Sequence, residues 1–233
     1  MCGRYVSPSD RAIEDYWHIG ARNSGHWIQR FNVAPTSIVP MLRLGEAGEL
    51  EVVPARWGLI PPWWKDAKPP AMSFNARSEE AASKPMWRQS LRAHRCLMPA
   101  RGWYEWNQHQ EVRSPSGRKL HQPFYLHDRS DGVLAIAGLW TTWRNPEGQQ
   151  ITSCALLTKE AAPSIHAIND RMPVILAPEQ FDLWLSPNTP GEQVQEAIAS
   201  ARQDFVGHAV SLRVNSAQND DPQLIEQVAD PPR

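Results

Sequence analysis

The middle of the chain alternates between β-branched or aromatic runs and turn residues, a pattern typical of strands. The stretch from 94 to 158 lacks the regular strand–helix alternation that a doubly wound parallel sheet needs. We therefore predict an α+β domain built on antiparallel sheets, an arrangement compatible with a closed or a half-open barrel. The predicted strands are 50–60, 94–106, 122–127, 133–140, 151–158 and 171–176.

Helix starts are the clearest local signals, because a cap residue followed by proline favours the first helical turn. Residues 77–93 have helical character at both ends, but Pro85 should break that helix. The predicted starts are Ser7-Pro8, Thr189-Pro190 and Pro178.

The chain of 233 residues shows no internal repeat and no low-complexity linker. We predict a single domain over residues 1–220, long enough to bury a core without disulfides or metals. Residues 221–233 are polar and rich in proline, and are predicted to form an extended or frayed tail.

Charge and cysteine content narrow the class of protein. The formal net charge is −1, so any polyanion would have to bind a local cluster of cations. No apolar run approaches the ~20 residues of a membrane helix, and the first thirty residues contain no apolar segment typical of a signal peptide. Three distant cysteines without a CxxC pair favour a reducing cytoplasm over a disulfide framework or a structural zinc site.

Cys2 follows the initiator methionine directly. Removal of Met1 would leave a free α-amine and a thiol on the same carbon. The alternative is that Cys2 is only a small apolar residue that docks the first strand. Tryptophan is also frequent, with 11 residues that either fill a core or offer flat faces to nucleobases.

Two polar groups stand within otherwise apolar stretches. Glu105 lies between Tyr104 and Trp106, where aromatic neighbours would desolvate the carboxylate and raise its pKa, as a general acid/base requires. The alternative is a glutamate on the exposed face of a strand. Asn75 and Arg77 alternate along "FNARSE" and could bind a sugar and a phosphate, or could belong to a helix-capping loop.

Trp63 and Trp64 are adjacent, so they cannot both enter one core from a regular strand. At least one is expected to be exposed or covered by a ligand such as a nucleobase; a tightly packed loop is the alternative. His166 stands near other reactive side chains, although a lone histidine is more often structural. Phosphate-binding loops, HExxH and GxSxG motifs and metal-spaced His/Cys groups are absent from the sequence.

Six motifs together resemble the SOS response-associated peptidase (SRAP) family, over Cys2 to about Leu176. The resemblance implies a compact α+β domain around a half-open antiparallel β-barrel-like core with peripheral helices. It also implies covalent capture of abasic sites in single-stranded DNA during the response to DNA damage. Nothing in the sequence calls for a metal, a cofactor, an obligate protein partner or an oligomer, so we expect a monomer. The motifs, in order, are "MCGRY", "FNVAP", "WGLIPPWW", "FNARSE", "GWYEW" and "RMPVIL".

The same resemblance implies roles for individual residues. After Met1 is removed by the protein's own peptidase activity, Cys2 closes a thiazolidine on the ring-opened sugar aldehyde. Asn75 orients the terminal amine and the sugar, and Glu105 serves as the acid/base. The implied DNA-binding residues are Arg4, Pro35, Trp63, Trp64, Arg77, Thr158 and Arg171.

The chain departs from the family pattern at one position. The family has Ile-His-x-Arg-Met-Pro, whereas this sequence has Asn169 at the place of the histidine. Either His166 reaches the site from three residues upstream, or Asn169 fills the pocket and a proton relay is lost. Two other functions compete with covalent capture: a thiol-dependent peptidase that acts on other proteins, and a non-catalytic module that binds single-stranded DNA.

Overall fold

The computed structural model describes residues 2–20, 26–114 and 116–229. Met1 and the last four residues of the predicted tail lie outside the described residues. The strands are β1 (Tyr5–Ser7), β2 (Arg30–Val33), β3 (Ile38–Leu44), β4 (Leu50–Trp57), β5 (Asn75–Arg77), β6 (Arg95–Ala100), β7 (Gly102–Arg113), β8 (Lys119–Asp128), β9 (Leu134–Arg144), β10 (Gln150–Glu160), β11 (Arg171–Pro173), β12 (Ile175–Leu176) and β13 (Phe205–Ala209).

Short helices surround these strands. The α-helices are α1 (Asp10–Trp17), α2 (Ser78–Ala81), α3 (Arg88–Ala93), α4 (Pro163–His166), α5 (Phe181–Leu185) and α6 (Gly191–Ala199). Three-residue to four-residue 3-10 helices lie at Pro178–Gln180, Leu212–Asn215 and Pro222–Ile225. Among the described residues, no helix combines the length and the apolar character that crossing a membrane requires.

Five strands close into a barrel in the order β4-β3-β6-β9-β10. The ring closes because β10 pairs with β9 on one side and with β4 on the other, in parallel, at Ser153↔Arg56 and Cys154↔Trp57. The predicted α+β class is confirmed. The barrel is closed rather than half-open, since one parallel contact completes an otherwise antiparallel ring.

A second sheet has the order β13-β8-β7-β1-β2, so the first strand of the chain lies between two other strands. In it, β1 pairs with β7 so that Tyr5 lies opposite Trp103. One core cluster contains residues from both the barrel and this sheet, including Cys2, Tyr5, Trp57 and Cys154. The first residues of the chain are therefore part of the core.

The long predicted strand 94–106 is two strands that belong to different sheets. Ala100 ends β6 in the barrel, and Gly102 begins β7 in the second sheet, with Arg101 between them. At position 102 a Cβ atom would come within 2.5 Å of the Leu126 carbonyl oxygen, so only glycine fits. The predicted strand 171–176 likewise divides into β11 and β12.

The prediction that Ser7 caps the first helix is wrong. Ser7 belongs to β1 and lies opposite Arg30 of β2. The cap is Ser9, whose hydroxyl accepts a hydrogen bond from the Ala12 amide at 3.4 Å. Strand pairing at Ser7 has displaced the helix start by two residues.

Of the other helix predictions based on proline, two are confirmed and one is wrong. The break at Pro85 is confirmed, because α2 and α3 lie on either side of it, and Pro178 begins a short 3-10 helix as predicted. Pro190, however, is the cap of α6 rather than its first residue. Thr189 does not cap this helix, since its hydroxyl donates to the Leu183 carbonyl at 2.7 Å.

The C-terminal segment packs against the second sheet. Leu224 is fully buried, within the stretch 221–229 that was expected to be extended or frayed. Asp220 accepts hydrogen bonds from the Phe31 and Asn32 amides and pairs with Arg30. The Asn32 side-chain amide in turn donates to the carbonyls of Val214, Ser216 and Asn219. The domain boundary at 220 stays a prediction.

Candidate active site

Cys2 lies in the core, directly before β1, and its side chain is fully buried. Its sulfhydryl faces the Arg4 carbonyl oxygen at 3.9 Å. Its own carbonyl oxygen accepts a hydrogen bond from Asn75 Nδ2 at 2.7 Å. Pairing of β1 with both β2 and β7 fixes the chain just after Cys2, so a residue at the terminus acquires a defined position.

Asn75 is held by the parallel contact between β5 and β10, in which it lies opposite Leu156. The preceding carbonyl, of Phe74, accepts hydrogen bonds from the Leu156 amide and from Trp57 Nε1, each at 2.9 Å. Asn75 Oδ1 is buried and has no hydrogen-bond partner among the described residues. The nitrogen of this amide therefore binds the Cys2 backbone, while its oxygen is available to accept a hydrogen bond.

Glu105 points into the core from β7. Its neighbour Tyr104 packs in a different cluster on the opposite face, together with Trp106, as alternation along a strand requires. Glu105 is 1% exposed, and desolvation raises the pKa of its carboxyl to about 7. A carboxyl with this pKa can both give and take a proton near neutral pH.

Cys2 and Glu105 are close enough to influence one another. Burial is the main reason that the pKa of the Cys2 thiol is raised well above its usual value, and the negative charge of Glu105 raises it further. The thiol is therefore protonated at neutral pH and needs a base to become a nucleophile. The structure thus brings Cys2, Asn75 and Glu105 together.

His166 and Asn169, the two candidates for the family's histidine position, differ in burial. His166 ends α4 and is exposed, whereas Asn169 is 7% exposed and accepts a hydrogen bond from the Arg171 amide at 3.1 Å. The charge of the adjacent Asp170 contributes to the raised pKa of Glu105, so this turn lies near the site. Asn169 is the buried member of the pair; its catalytic role stays a prediction.

Two of the predicted DNA contacts are engaged within the protein. Arg171 forms a bidentate ion pair with Glu79, at 2.8 and 3.0 Å, and donates to the Thr158 carbonyl at 2.8 Å. Thr158 is fully buried. This clamp connects β11, β10 and α2 around Asn75, so its first effect is to fix the backbone of the site.

The remaining predicted cations differ in exposure. Arg4 donates to Asn32 Oδ1 at 3.1 Å and to the Val214 carbonyl at 2.8 Å, which ties the N-terminus to the C-terminal segment. Arg77 is mostly exposed and lies 3.8 Å from Glu80, so its guanidinium can reach a phosphate. Pro35 occupies the turn after β2 and is half-buried.

The expectation that at least one of the two adjacent tryptophans is exposed is confirmed. Trp63 is 52% exposed. Trp64 is fixed in its loop, because its indole N–H donates to the Lys68 carbonyl at 2.9 Å and its carbonyl accepts from Trp143 Nε1 at 2.8 Å. Of the two residues, Trp63 is therefore the one whose indole ring is open for another group to stack on it.

Sequence reasoning missed two polar atoms of residues that share a core cluster with Cys2. The Tyr5 hydroxyl and Trp103 Nε1 are both fully buried and without a hydrogen-bond partner among the described residues. Their place in "MCGRY" and "GWYEW" was the only available signal, because aromatic residues in a strand are ordinarily assigned to the core. The described residues contain no group of three or more His, Cys, Asp or Glu side chains that could hold a metal ion.

Comparisons with known proteins point to one family. The sequence profile of the family "SOS response associated peptidase (SRAP)" matches residues 1–217. Abasic site processing protein YoqW of Bacillus subtilis is 35% identical over 97% of this chain and 99% of its own length. YedK of Escherichia coli, which carries the same description, is 30% identical over 98% of this chain and 100% of its own. HMCES of Gallus gallus is 28% identical over 88% and 70%.

Solved structures agree on the fold. A protein from Bacteroides thetaiotaomicron superposes with a TM-score of 0.79 at 19% identity, covering 98% of this chain and 100% of that one. A protein from Bordetella bronchiseptica gives a TM-score of 0.74 at 25% identity, covering 91% and 100%.

Proposed function

Because the chain belongs to the SOS response associated peptidase (SRAP) family, we propose that it processes abasic sites by trapping them covalently. The adduct is a thiazolidine between Cys2, freed from Met1, and the aldehyde of the ring-opened deoxyribose in single-stranded DNA. The relatives described as abasic site processing proteins support the substrate. We expect the protein to act as a monomer in the cytoplasm.

The observation that best supports this proposal is that Cys2, Asn75 and Glu105 lie close together. The Asn75 amide holds the Cys2 backbone at 2.7 Å, and the Glu105 carboxylate interacts with the Cys2 thiol through space. A nucleophile, an orienting amide and an acid/base with a pKa of about 7 are the groups that condensation with an aldehyde needs.

The first step needs a free amine. Hydrolysis of the Met1–Cys2 peptide bond consumes one water and releases methionine. An ordinary α-amine has a pKa of about 7.7–8.0, so a fraction of it is neutral near pH 7. The neutral α-amine of Cys2 attacks the aldehyde carbon. Loss of one water leaves an imine, whose formation Glu105 assists by protonating the departing hydroxyl. An internal cysteine could not do this, because its nitrogen is an amide.

The second step closes the ring. The sulfur of Cys2 attacks the imine carbon, while Glu105 accepts the thiol proton and a proton is delivered to the imine nitrogen. The S–H bond has then been added across the C=N bond, with nothing else consumed. Because both groups reside on one residue, closure is intramolecular and gains an effective molarity of about 10⁵ M or more.

We expect two exposed side chains to bind the single strand. Trp63 offers an exposed indole on which a base can stack, and Arg77 offers an exposed guanidinium for the backbone. Arg171 and Arg4 are engaged with protein partners, so we expect them to support the site first and to contact phosphate through their remaining N–H groups.

Intact mass spectrometry tests the proposal. The purified chain should lack Met1 and, after incubation with a single-stranded oligonucleotide containing one abasic site, gain the mass of the oligonucleotide minus one water. Cys2→Ala should abolish the adduct. Cys96→Ala is the matched control, since it removes an equally buried thiol, on β6 of the barrel, and should leave the yield unchanged. A normal adduct yield from Cys2→Ala would refute the proposal.

Two further measurements separate the alternatives. A thiol peptidase would cleave an added peptide in a Cys2-dependent reaction, whereas we expect cleavage only at the protein's own Met1. A non-catalytic module would bind single-stranded DNA reversibly, with strong salt dependence and no preference for abasic sites. Equal binding of abasic and intact strands, without an adduct, would favour the module.

A further inference from the structure

Asn75 contacts Cys2 from a strand that has little support of its own. β5 contains only three residues and, among the described strands, pairs with β10 alone. The Asn75 amide nevertheless has to stay at 2.7 Å from the Cys2 carbonyl oxygen. Displacing an orienting group by about 1 Å can slow a reaction about a hundredfold. A second attachment at the end of β5 would therefore act directly on the site.

Glu79 provides such an attachment. It lies in the first turn of α2, which follows β5 directly. Its two carboxylate oxygens accept hydrogen bonds from Nη1 and Nη2 of Arg171 at 2.8 and 3.0 Å. Nη2 also donates to the Thr158 carbonyl at 2.8 Å. One guanidinium therefore joins the end of β5 to β10.

The strand register shows what this guanidinium spans. Thr158 of β10 lies opposite Arg77 of β5 on one side and opposite Pro173 of β11 on the other. The Arg171 side chain starts on β11 and reaches across β10 to Glu79, just beyond the end of β5. The clamp thus ties together three neighbouring strands, of which the outer two are only three residues long.

Arg171 also holds the turn that contains Asn169. Its backbone amide donates to Asn169 Oδ1 at 3.1 Å, and the Ala161 amide donates to the Asp170 carbonyl at 2.9 Å. The turn at the family's histidine position and the end of β5 therefore meet at one arginine, whose carboxylate partner is Glu79.

A carboxylate on this arginine is unexpected in a site for a polyanion. The Arg171 side chain is 15% exposed, and its guanidinium, if left free, would attract a phosphate of the DNA. Glu79 neutralises that charge instead. The hydrogen bond from Arg171 is the main reason that the pKa of the Glu79 carboxyl is lowered, so this group is ionised at neutral pH. The ion pair lowers the attraction for DNA and fixes the geometry of the site.

We propose that Glu79 is a positioning residue for the capture of abasic sites, which acts through Arg171 to keep Asn75 in place. The proposal rests on the proposed function. In this role Glu79 transfers no proton and contacts no reacting atom. It differs from a residue that binds DNA, because its removal should slow the reaction without weakening the binding.

Glu79→Gln keeps the shape of the side chain and removes its charge. At saturating single-stranded abasic DNA, the single-turnover rate of crosslinking should fall about tenfold, because Asn75 is held less firmly. The DNA concentration for a half-maximal rate should fall as well, and binding should depend more steeply on salt, because Arg171 becomes free to pair with a phosphate. Removal of a residue that binds DNA would change the affinity in the opposite direction.

Glu51→Gln is the matched control. Glu51 pairs with Arg43 at 2.7 Å, the two side chains are 27% and 25% exposed, and the change in net charge is the same. Its crosslinking rate and DNA affinity should equal those of wild type. A fall in rate that Glu51→Gln reproduces would overturn the inference, and so would an unchanged rate in Glu79→Gln or a loss of activity that saturating DNA restores.

A double variant tests whether Glu79 acts through Arg171. In an Arg171→Met background, Glu79→Gln should change the crosslinking rate by less than about twofold, because the residue that transmits its effect is absent. A tenfold fall in that background would contradict the proposed role.

Hydrogen exchange separates this inference from the proposed function, because it requires no DNA. The backbone amides of β5 should exchange faster in Glu79→Gln than in wild type or Glu51→Gln, as followed by mass spectrometry. If wild type forms no adduct with abasic DNA, the proposed function fails, yet faster exchange still shows that Glu79 holds β5. Equal exchange in all three proteins would overturn the inference.

Glu79 is 52% exposed, so Glu79→Gln is expected to fold, and its Tm is measured before rates are compared. If it does not fold, Glu79→Asp replaces it. Aspartate keeps the charge, but its side chain is one methylene shorter and draws the carboxylate away from Arg171. β5 should then exchange faster and crosslinking should be slower; no change in either would contradict the role of Glu79.

Discussion

Arg95 and Glu105 are both buried ionisable residues, 3% and 1% exposed, and the groups around them differ. The Arg95 guanidinium donates to the Leu91, Arg92 and Trp184 carbonyls at 2.6–2.7 Å and also to the Ser186 carbonyl. These carbonyls belong to the C-terminal ends of α3 and α5, whose partial negative charge suits a cation.

The surroundings of Glu105 differ from those of Arg95. Tyr5 Oη, Trp103 Nε1 and Asn75 Oδ1 belong to the same part of the core and are buried without a hydrogen-bond partner among the described residues. Each buried unpaired group in a native protein needs an explanation, and a site for a substrate is one. Arg95 is thus a structural buried charge, whereas under the proposed function Glu105 is a functional one, and the predictions below start from this comparison.

The largest effect is expected for Arg95→Met. Removing the guanidinium takes one hydrogen bond from each of four carbonyls, two of them in fully buried bonds, to Leu91 and Trp184. The free energy of unfolding should therefore fall by about 3 kcal/mol or more. Urea denaturation measures the loss, and crosslinking per folded molecule should be unchanged. Arg88→Met, an exposed arginine on α3, should alter stability by no more than about 0.5 kcal/mol. A similar loss in both variants would show that Arg95 has no special role.

Glu105→Gln should have the reverse signature: lower activity with higher stability. The pKa in the folded chain, about 7, exceeds the 4.5 of an unperturbed glutamate, so the folded state holds this proton more tightly. The stability that the group contributes is complete below pH 4.5 and is lost as pH rises to about 7. At pH 8 the variant should be more stable, by up to about 3 kcal/mol.

Thermal and urea unfolding from pH 4 to 8 would measure this gain, beside a crosslinking rate reduced about a hundredfold through loss of the acid/base. A variant less stable than wild type at pH 8 would place Glu105 among the structural charges, together with Arg95.

Trp63→Ala should weaken binding of single-stranded abasic DNA by about 1 kcal/mol, as expected when one base loses its stacking partner. Stability should hardly change, because the indole is 52% exposed. Fluorescence anisotropy with a labelled strand measures the affinity. Ile28→Ala, which truncates an 80% exposed side chain, is the control; an equal loss there would mean that Trp63 is an ordinary surface residue.

Asn169→His should give the smallest effect, a several-fold faster crosslinking reaction. An imidazole titrates near pH 6.5 and can shuttle a proton, which an amide cannot. Single-turnover rates between pH 5.5 and 8 would report it, with His166→Asn as the control at the exposed position. Unchanged rates in Asn169→His would show that Asn169 already serves the site as well as the family's histidine does.

Local signals in the sequence predicted individual helices and strands. Contacts between residues far apart in the sequence determined how those helices and strands are arranged. Pro85 and Pro178 could be interpreted without the fold, because proline restricts its own backbone. Ser7 could not, since its pairing with Arg30 depends on a strand 23 residues away. Barrel closure escaped prediction for the same reason: it depends on the register of β10 against β4, which no local pattern contains.

In the candidate site, too, the sequence predicted residue types but not all of their contacts. Cys2, Asn75 and Glu105 were identified as residue types in unusual surroundings, and the structure brings them together. The engagement of Arg171 with Glu79 was not predicted, because an arginine near a predicted phosphate site has the same appearance in a sequence whether it binds DNA or protein.

The hydrogen bonds from Asn32 and Arg4 to the Val214 carbonyl have a consequence for biosynthesis. Val214 is translated some two hundred codons after Arg4. Until then β1 and β2 lack these two hydrogen bonds. Under the proposed function, the segment that carries Cys2 is therefore fully braced only when translation of this domain is nearly finished.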